Sequence, residues 1–297
     1  MLRPLVSVLM LVGACAVAPP PRPSPPPRLG SADWTPPPLP LGRPEAAPSG
    51  LAAVQRQLQP LRSVPESPAA IPEEARPYLR AIRAELRTWL LDVVAREGRV
   101  PPRYVLRATL DHADLTVSRL GEDLPWGAVT RVDVLAPGED LTAVVIGLRL
   151  SCTTDEAVYV FRGARPVIEL AQDRWAALTD ARSDVRVQQA RAARAGGVLL
   201  VTSLSQQCAS RWQTVRFEGI TEGPSPDRPA ARWDLRQTVD VQGECGGFDP
   251  ASLGMEISRN GFEMHGCAPS PSGAPRETRA RYRYTHEGIE PAGVGTR

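Results

Sequence analysis

"VVIGLRLSCTTDEAVYVFRG", Val144 to Gly163, decides how this chain is read. Two runs rich in Val, Leu and Tyr flank a polar break. Branched and aromatic side chains fit a pleated, half-buried surface, and Ser, Thr and Asp favour turns. The stretch predicts two strands joined by a short connection. "LLVTSLSQQCASRWQTVRFEG", Leu199 to Gly219, echoes it with an apolar strand, a Cys and then Phe-x-Gly. The interval from Cys152 to Phe161 equals that from Cys208 to Phe217, and the two cysteines stand 56 residues apart. Cys267 follows at a similar step, ahead of "RYTHEG".

The same period-two pattern recurs in "RYVLRATLDHADLTVSRL", "VTRVDVLA", "RPVIELA", "ASLGMEIS", "GFEMHG" and "RARYRYTHEG". Helical patterning in this part is weak outside "AQDRWAALTDAR". Residues 100–297 are therefore expected to be mainly β, an antiparallel β-sandwich or a propeller-like array.

Before this region the period changes. "PEEARPYLRAIRAELRTWLLDVVAREG" places Leu79, Ile82, Leu86, Trp89, Leu90, Val93 and Val94 at helical spacing, with Arg80, Arg83, Arg87, Asp92 and Arg96 largely between them. Pro77 sits near the start and Gly98 at the end, as helix termini prefer. Residues 71–99 are expected to form one amphipathic helix whose stripe docks on the β domain; a membrane or a partner is the other possible surface.

Residues 15–70 read as a linker. Of 32 prolines in 297 residues, thirteen fall between Pro19 and Pro48, and each removes a backbone donor and fixes φ. Such a segment favours polyproline II, and some fifty extended residues would reach on the order of 100–150 Å. It is expected to be a disordered spacer; its P-x-x-P spacings also suit a docking strip for an aromatic groove.

The leader, residues 1–14, has Arg3, an apolar run from Leu5 to Val12, and small residues after it, the plan of an export signal. The run is short of the roughly 20 apolar residues that span a bilayer. Val12-Gly13-Ala14-Cys15 resembles the lipobox of bacterial lipoproteins. That resemblance covers only residues 1–15 and implies cleavage before Cys15 and lipidation of its thiol, so that the partner is a membrane and the location the cell envelope. The other export reading is plain secretion, with Ala14-Cys15-Ala16 as the cleavage site.

Setting Cys15 aside leaves Cys152, Cys208, Cys245 and Cys267, an even number in an exported chain, which suggests two disulfides. Cys152 with Cys208 and Cys245 with Cys267 rank first among the three pairings.

Chemistry is harder to find. The net charge is +2 and every basic residue is Arg, interspersed with acids, so no nucleic-acid footprint stands out. No P-loop, dinucleotide fingerprint, G-x-S-x-G, HExxH, paired CxxC or EF-hand loop occurs, so no cofactor and no metal is expected. His112 in "DHAD" reads first as a turn residue; His265 and His286 stand alone. Glu244 and Asp249 flank Cys245 as a weak carboxylate pair. "CASRW" offers Ser210, Arg211 and Trp212 as ligand-binding candidates for an anionic or sugar ligand, against a structural reading as a disulfide-bearing turn. The expectation is a tethered binding or scaffolding domain that engages cell-wall or envelope components; a hydrolase built from distant loops and a structural spacer are the alternatives.

Overall fold

The apolar runs of the sequence become strands that hydrogen-bond in chain order, which is why the protein is mainly β. In a computed structural model, residues 49–67, 70–121, 123–124, 126–171, 175, 178–192, 196–205, 212–222, 231–240, 255–258, 260–269, 275–284 and 289–296 are described. They form three antiparallel sheets, each a four-stranded meander. The first joins β1 (Trp126–Leu135), β2 (Thr142–Leu150), β3 (Thr153–Arg162) and β4 (Arg165–Leu170). The second joins β5 (Ser183–Ala192), β6 (Gly196–Ser205), β7 (Trp212–Thr221) and β8 (Ala231–Asp240). The third joins β9 (Met255–Ile257), β10 (Gly261–Pro269), β11 (Pro275–Tyr284) and β12 (Ile289–Thr296).

The opening stretch forms β2 and β3, joined by the two-residue turn Ser151-Cys152, with Leu150 opposite Thr153. Alternation then assigns the faces. Val144, Ile146, Leu148, Tyr159 and Phe161 pack against helices, while Ala143, Val145, Val158 and Val160 pack against Val185, Val187, Leu199, Val201 and Ile220 of the second sheet. The first sheet is thus covered on both sides, which explains its nearly unbroken apolar runs. The opposite face of the second sheet carries buried Val198, Leu200, Val215 and Phe217. The third sheet meets the second where β10 lies against β8, and Phe262, stacked on Tyr282 at 4.9 Å between ring centres, is buried with Met264.

The helical layer differs from expectation in two places. Instead of one helix there are three, plus a single turn. α1 (Ser49–Leu61) lies inside the stretch read as a linker. Its Leu51, Val54, Leu58 and Leu61 are buried, because four apolar residues share one helical face and find a partner surface. The neighbouring prolines masked that pattern. The rest of the expected linker, through residue 48, and the leader lie outside the described residues. α2 (Arg76–Glu97) is the expected amphipathic helix; its stripe is buried and left-handed Gly98 ends it at φ 68°. α3 (Arg103–His112) and the short α4 (Val117–Leu120) replace the strand expected over "RYVLRATLDHADLTVSRL". Leu106 and Leu110, four apart, are the buried pair, whereas Tyr104 is 68% exposed and Val105 38%. Those two side chains suggested a strand but face away from the core. "AQDRWAALTDAR" contributes a 3-10 turn at Leu178–Asp180. β5, β8 and β12 were not anticipated. Among the described residues no helix is long and apolar enough to cross a membrane.

Candidate functional site

Charged side chains enter the interior at one end of the first sheet, and every one must be matched to be tolerated there. Arg83 lies inside the apolar stripe of α2, not between its members, and donates to the carboxylate of Asp155 at 2.5 Å. Asp155, with no exposed surface, also accepts from Trp175 Nε1 at 3.1 Å and from the Arg182 backbone at 3.1 Å. Arg83 further donates to the carbonyls of Ile146 and Asp155. One strand position later the chain faces the second sheet. There Glu156 accepts from Arg131 Nη1 at 2.6 Å and from the Val185 backbone at 2.8 Å. Burial pushes the Glu156 carboxyl above its ordinary range, ahead of the opposing pull of Arg131. Arg182 donates to the buried Glu218 at 2.9 and 3.3 Å. These pairs tie α2, the first sheet and the second sheet together at the same end.

Beyond them opens a cleft of about 470 Å³. Three backbone irregularities shape it. β1 is bulged, since Val129 faces Leu148 and Arg131 faces Gly147, leaving Thr130 between two pairs. β5 is bulged between Ser183 and Arg186, with Asp184 at φ 51°. Ser151 of the hairpin turn also sits at φ 51°. Non-glycine residues in this region cost energy, and bulges re-aim side chains beside functional surfaces. All three irregularities contribute lining residues. A second cleft, of about 380 Å³, adjoins it through Asp184 and is lined by Arg131 and Arg186.

Within the larger cleft the polar groups differ in occupation. Ser151 donates to Glu66 at 2.7 Å and Ser183 to the Leu204 carbonyl at 3.2 Å. Arg149 has neither a hydrogen bond nor an ion pair among the described residues, although its Nε is buried. Among the described residues the hydroxyl of Thr130 is likewise buried without a hydrogen-bond partner, and that of Thr154, opposite Arg149 on β3, forms no hydrogen bond. Gly147 makes room for this arrangement: a Cβ there would stand 2.9 Å from Thr130 Oγ1 and 3.3 Å from Glu156 Cγ. The cleft therefore presents a guanidinium and two hydroxyls with open hydrogen-bonding capacity.

The residues singled out in the sequence fall as follows. Cys152 lines the cleft and is disulfide-bonded. The side chains of Cys15, Cys208, Cys245 and Cys267 lie outside the described residues, so its partner does too. Ser210 and Arg211 lie outside them as well, and Trp212 begins β7 with its side chain undescribed. Glu244, Asp249 and His286 are also outside. "DHAD" is not a turn between strands but the end of α3, where Asp111 accepts from Thr116, Arg107 and Ser118. Burial raises the Asp111 carboxyl, but the hydrogen bond from Thr116 and the charge of Arg107 outweigh it and hold it below the usual range. His112 is exposed on that helix, whereas His265 is buried on β10, 3.4 Å from Glu263 and 3.6 Å from Glu256. Among the described residues no group of three or more His, Cys, Asp or Glu is placed to hold a metal ion.

Sequence reasoning missed Arg149. One signal was available: it breaks the apolar run "VVIGLRL" at a position that alternation turns toward the same side as Val145. No protein family, curated protein or solved structure matches this chain.

Proposed function

We propose that this chain is a lipid-anchored cell-envelope protein, held through Cys15, whose β domain binds a ligand rather than transforming one. The observation that carries the binding reading is the cleft around Arg149, Thr130 and Thr154. A guanidinium stays charged at every physiological pH and does not shuttle protons, so its chemistry suits holding a ligand. Backbone irregularity concentrated at one cleft is also what a site under functional constraint retains against stability. The anchor reading draws on the run ending in Val12-Gly13-Ala14-Cys15 and on the proline-rich stretch behind it, which would hold the domain off the membrane.

Fractionation of cells expressing the full chain tests the anchor. The wild-type chain is expected with membranes and Cys15→Ala in the soluble exported fraction. Unchanged membrane retention of Cys15→Ala would overturn the anchor, and soluble wild-type protein would favour plain secretion.

A further inference from the structure

Arg149, half-buried on β2, differs from the arginines around it. Arg83 is matched to Asp155, Arg131 to Asp133 and Glu156, and Arg182 to Glu218. Arg149 alone among these has no carboxylate, although Glu156 lies two residues from Thr154, its neighbour across the strands. Glu156 is not available to it, because the carboxylate is bridged between Arg131 and the Val185 N–H. Asp184 also lines the cleft and is exposed.

We infer that the cleft is an oxyanion site: Arg149 takes the charged oxygens of a carboxylate or phosphate group, and the hydroxyls of Thr130 and Thr154 complete its hydrogen bonds. The inference rests on the binding reading above and names the ligand class of the same cleft. The planar guanidinium fork matches two oxygens of either group. Thr130 and Thr154 flank Arg149 on the two neighbouring strands, one from the bulge in β1 and one from β3, so the three donors converge from adjacent strands of a single sheet. Arg149 Nε and the Thr130 hydroxyl are buried without a hydrogen-bond partner among the described residues; Arg83 Nε and Arg182 Nη1 are too, so what sets Arg149 apart is that its charge has no carboxylate beside it.

The test is isothermal titration calorimetry of the full chain in a non-ionic detergent, with three probes: inorganic phosphate, D-glucuronate and D-glucose. Saturable binding of an oxyanion probe with none of glucose is expected, and the tighter of phosphate and glucuronate identifies the source of the oxyanion. Arg149→Gln should weaken that probe by roughly ten- to a hundredfold, the scale of one hydrogen bond between charged groups. Thr130→Val should weaken it severalfold, and Arg149→Lys should fall between wild type and Arg149→Gln. Thermal melting accompanies each variant: because Arg149 forms no hydrogen bond or ion pair among the described residues, Arg149→Gln, which keeps most of the stem, should melt no lower than wild type, while an arginine that holds the fold through its charge would melt lower on replacement. Equal binding by wild type and Arg149→Gln, or no saturation by either oxyanion at about ten millimolar, overturns the inference. Glucose binding that Thr130→Val abolishes would overturn the oxyanion class and leave the cleft as a binding site. Membrane release of Cys15→Ala is independent of all these outcomes.

Discussion

Replacing Asp155 by Asn changes one atom at the junction of three layers. The carboxylate accepts through Oδ2 from Arg83 and Trp175 and through Oδ1 from the Arg182 backbone, so both oxygens face donors. An amide offers one acceptor and one NH2. Whichever way it is turned, the NH2 opposes a donor, and Arg83, only 5% exposed, loses its counter-charge. Removing one partner of a buried pair costs about 3–5 kcal/mol, because the remaining charge stays desolvated. With a urea dependence of about 2 kcal/mol per molar, the unfolding midpoint should fall by roughly 2 M. Part of the effect belongs to the unpaired charge, so Arg83→Met combined with Asp155→Asn, whose amide oxygen still accepts from Trp175 or the Arg182 N–H, should recover part of the loss. Arg162→Gln removes a guanidinium paired with exposed Asp140 and half-buried Glu222, and is the surface control, at about 0–1 kcal/mol. A midpoint for Asp155→Asn within about 0.5 M of wild type, or a double variant no better than the single one, would refute the assignment of this pair as the pin between α2 and the first sheet.

Two other substitutions or mappings test separate parts of the fold. Gly127 stands at φ 80°, and a Cβ there would meet Ile82 Cδ1 at 2.8 Å and Leu58 and Leu61 methyls at 3.0 Å, so Gly127→Ala should lose about 2–4 kcal/mol from backbone strain and overpacking together. An unshifted urea midpoint would show that α1 and α2 yield to it. Non-reducing peptide mapping should link Cys152 to Cys208 and Cys245 to Cys267. The motivation is that Ser183 borders the cleft beside Cys152 and pairs with Leu204, near the end of β6 that leads to Cys208. Closing 56 residues by the first bridge would contribute about 4 kcal/mol in the chain-entropy account. A Cys152–Cys245 or Cys152–Cys267 peptide refutes that pairing.

What the sequence shows of this fold follows from how strongly each segment is patterned. β2, β3 and β6 are buried on both faces or nearly so, and their apolar runs are plain in "VVIGLRL" and "GVLLVTSL". α2 declares itself by a stripe and its closing glycine. β5 and β8 were missed because arginine, glutamine and aspartate dominate "SDVRVQQARA" and "ARWDLRQTVD", although Val185 and Val187 keep the alternation. α3 was misread because aromatic and branched residues at its start favour strands on average, and only packing reveals that Tyr104 and Val105 point outward. The site was less legible than the fold. Its cleft depends on two bulges and one left-handed turn residue, and none of these has a glycine to announce it. The open state of Arg149 is a statement about pairing with distant residues, which spacing along the chain does not encode.

The echo between the two Cys-bearing units distinguishes the two architectures expected from sequence. Phe161 belongs to the helix-facing core, whereas Phe217, adjacent to Glu218 and Ile220 on the strand face turned to the first sheet, points away from that sheet. Both aromatics thus face outward from the shared interior. In a propeller every blade presents the same face to the blade that follows, so matched positions would point the same way along the stack. In a sandwich the inner faces oppose each other, and matched positions point inward together or outward together. The first two sheets therefore relate as the leaves of a sandwich. On this geometry Ala143, Val145, Gly147 and Arg149 form one inward row of β2, running from the apolar core to the cleft. Sandwich interiors are filled by apolar side chains from both leaves, and the inward charges beside it, Glu156 and Arg131, are matched to each other. An arginine at the end of that row with no carboxylate among the described residues adds no ion pair between the leaves, which is the physical reason for proposing a ligand there.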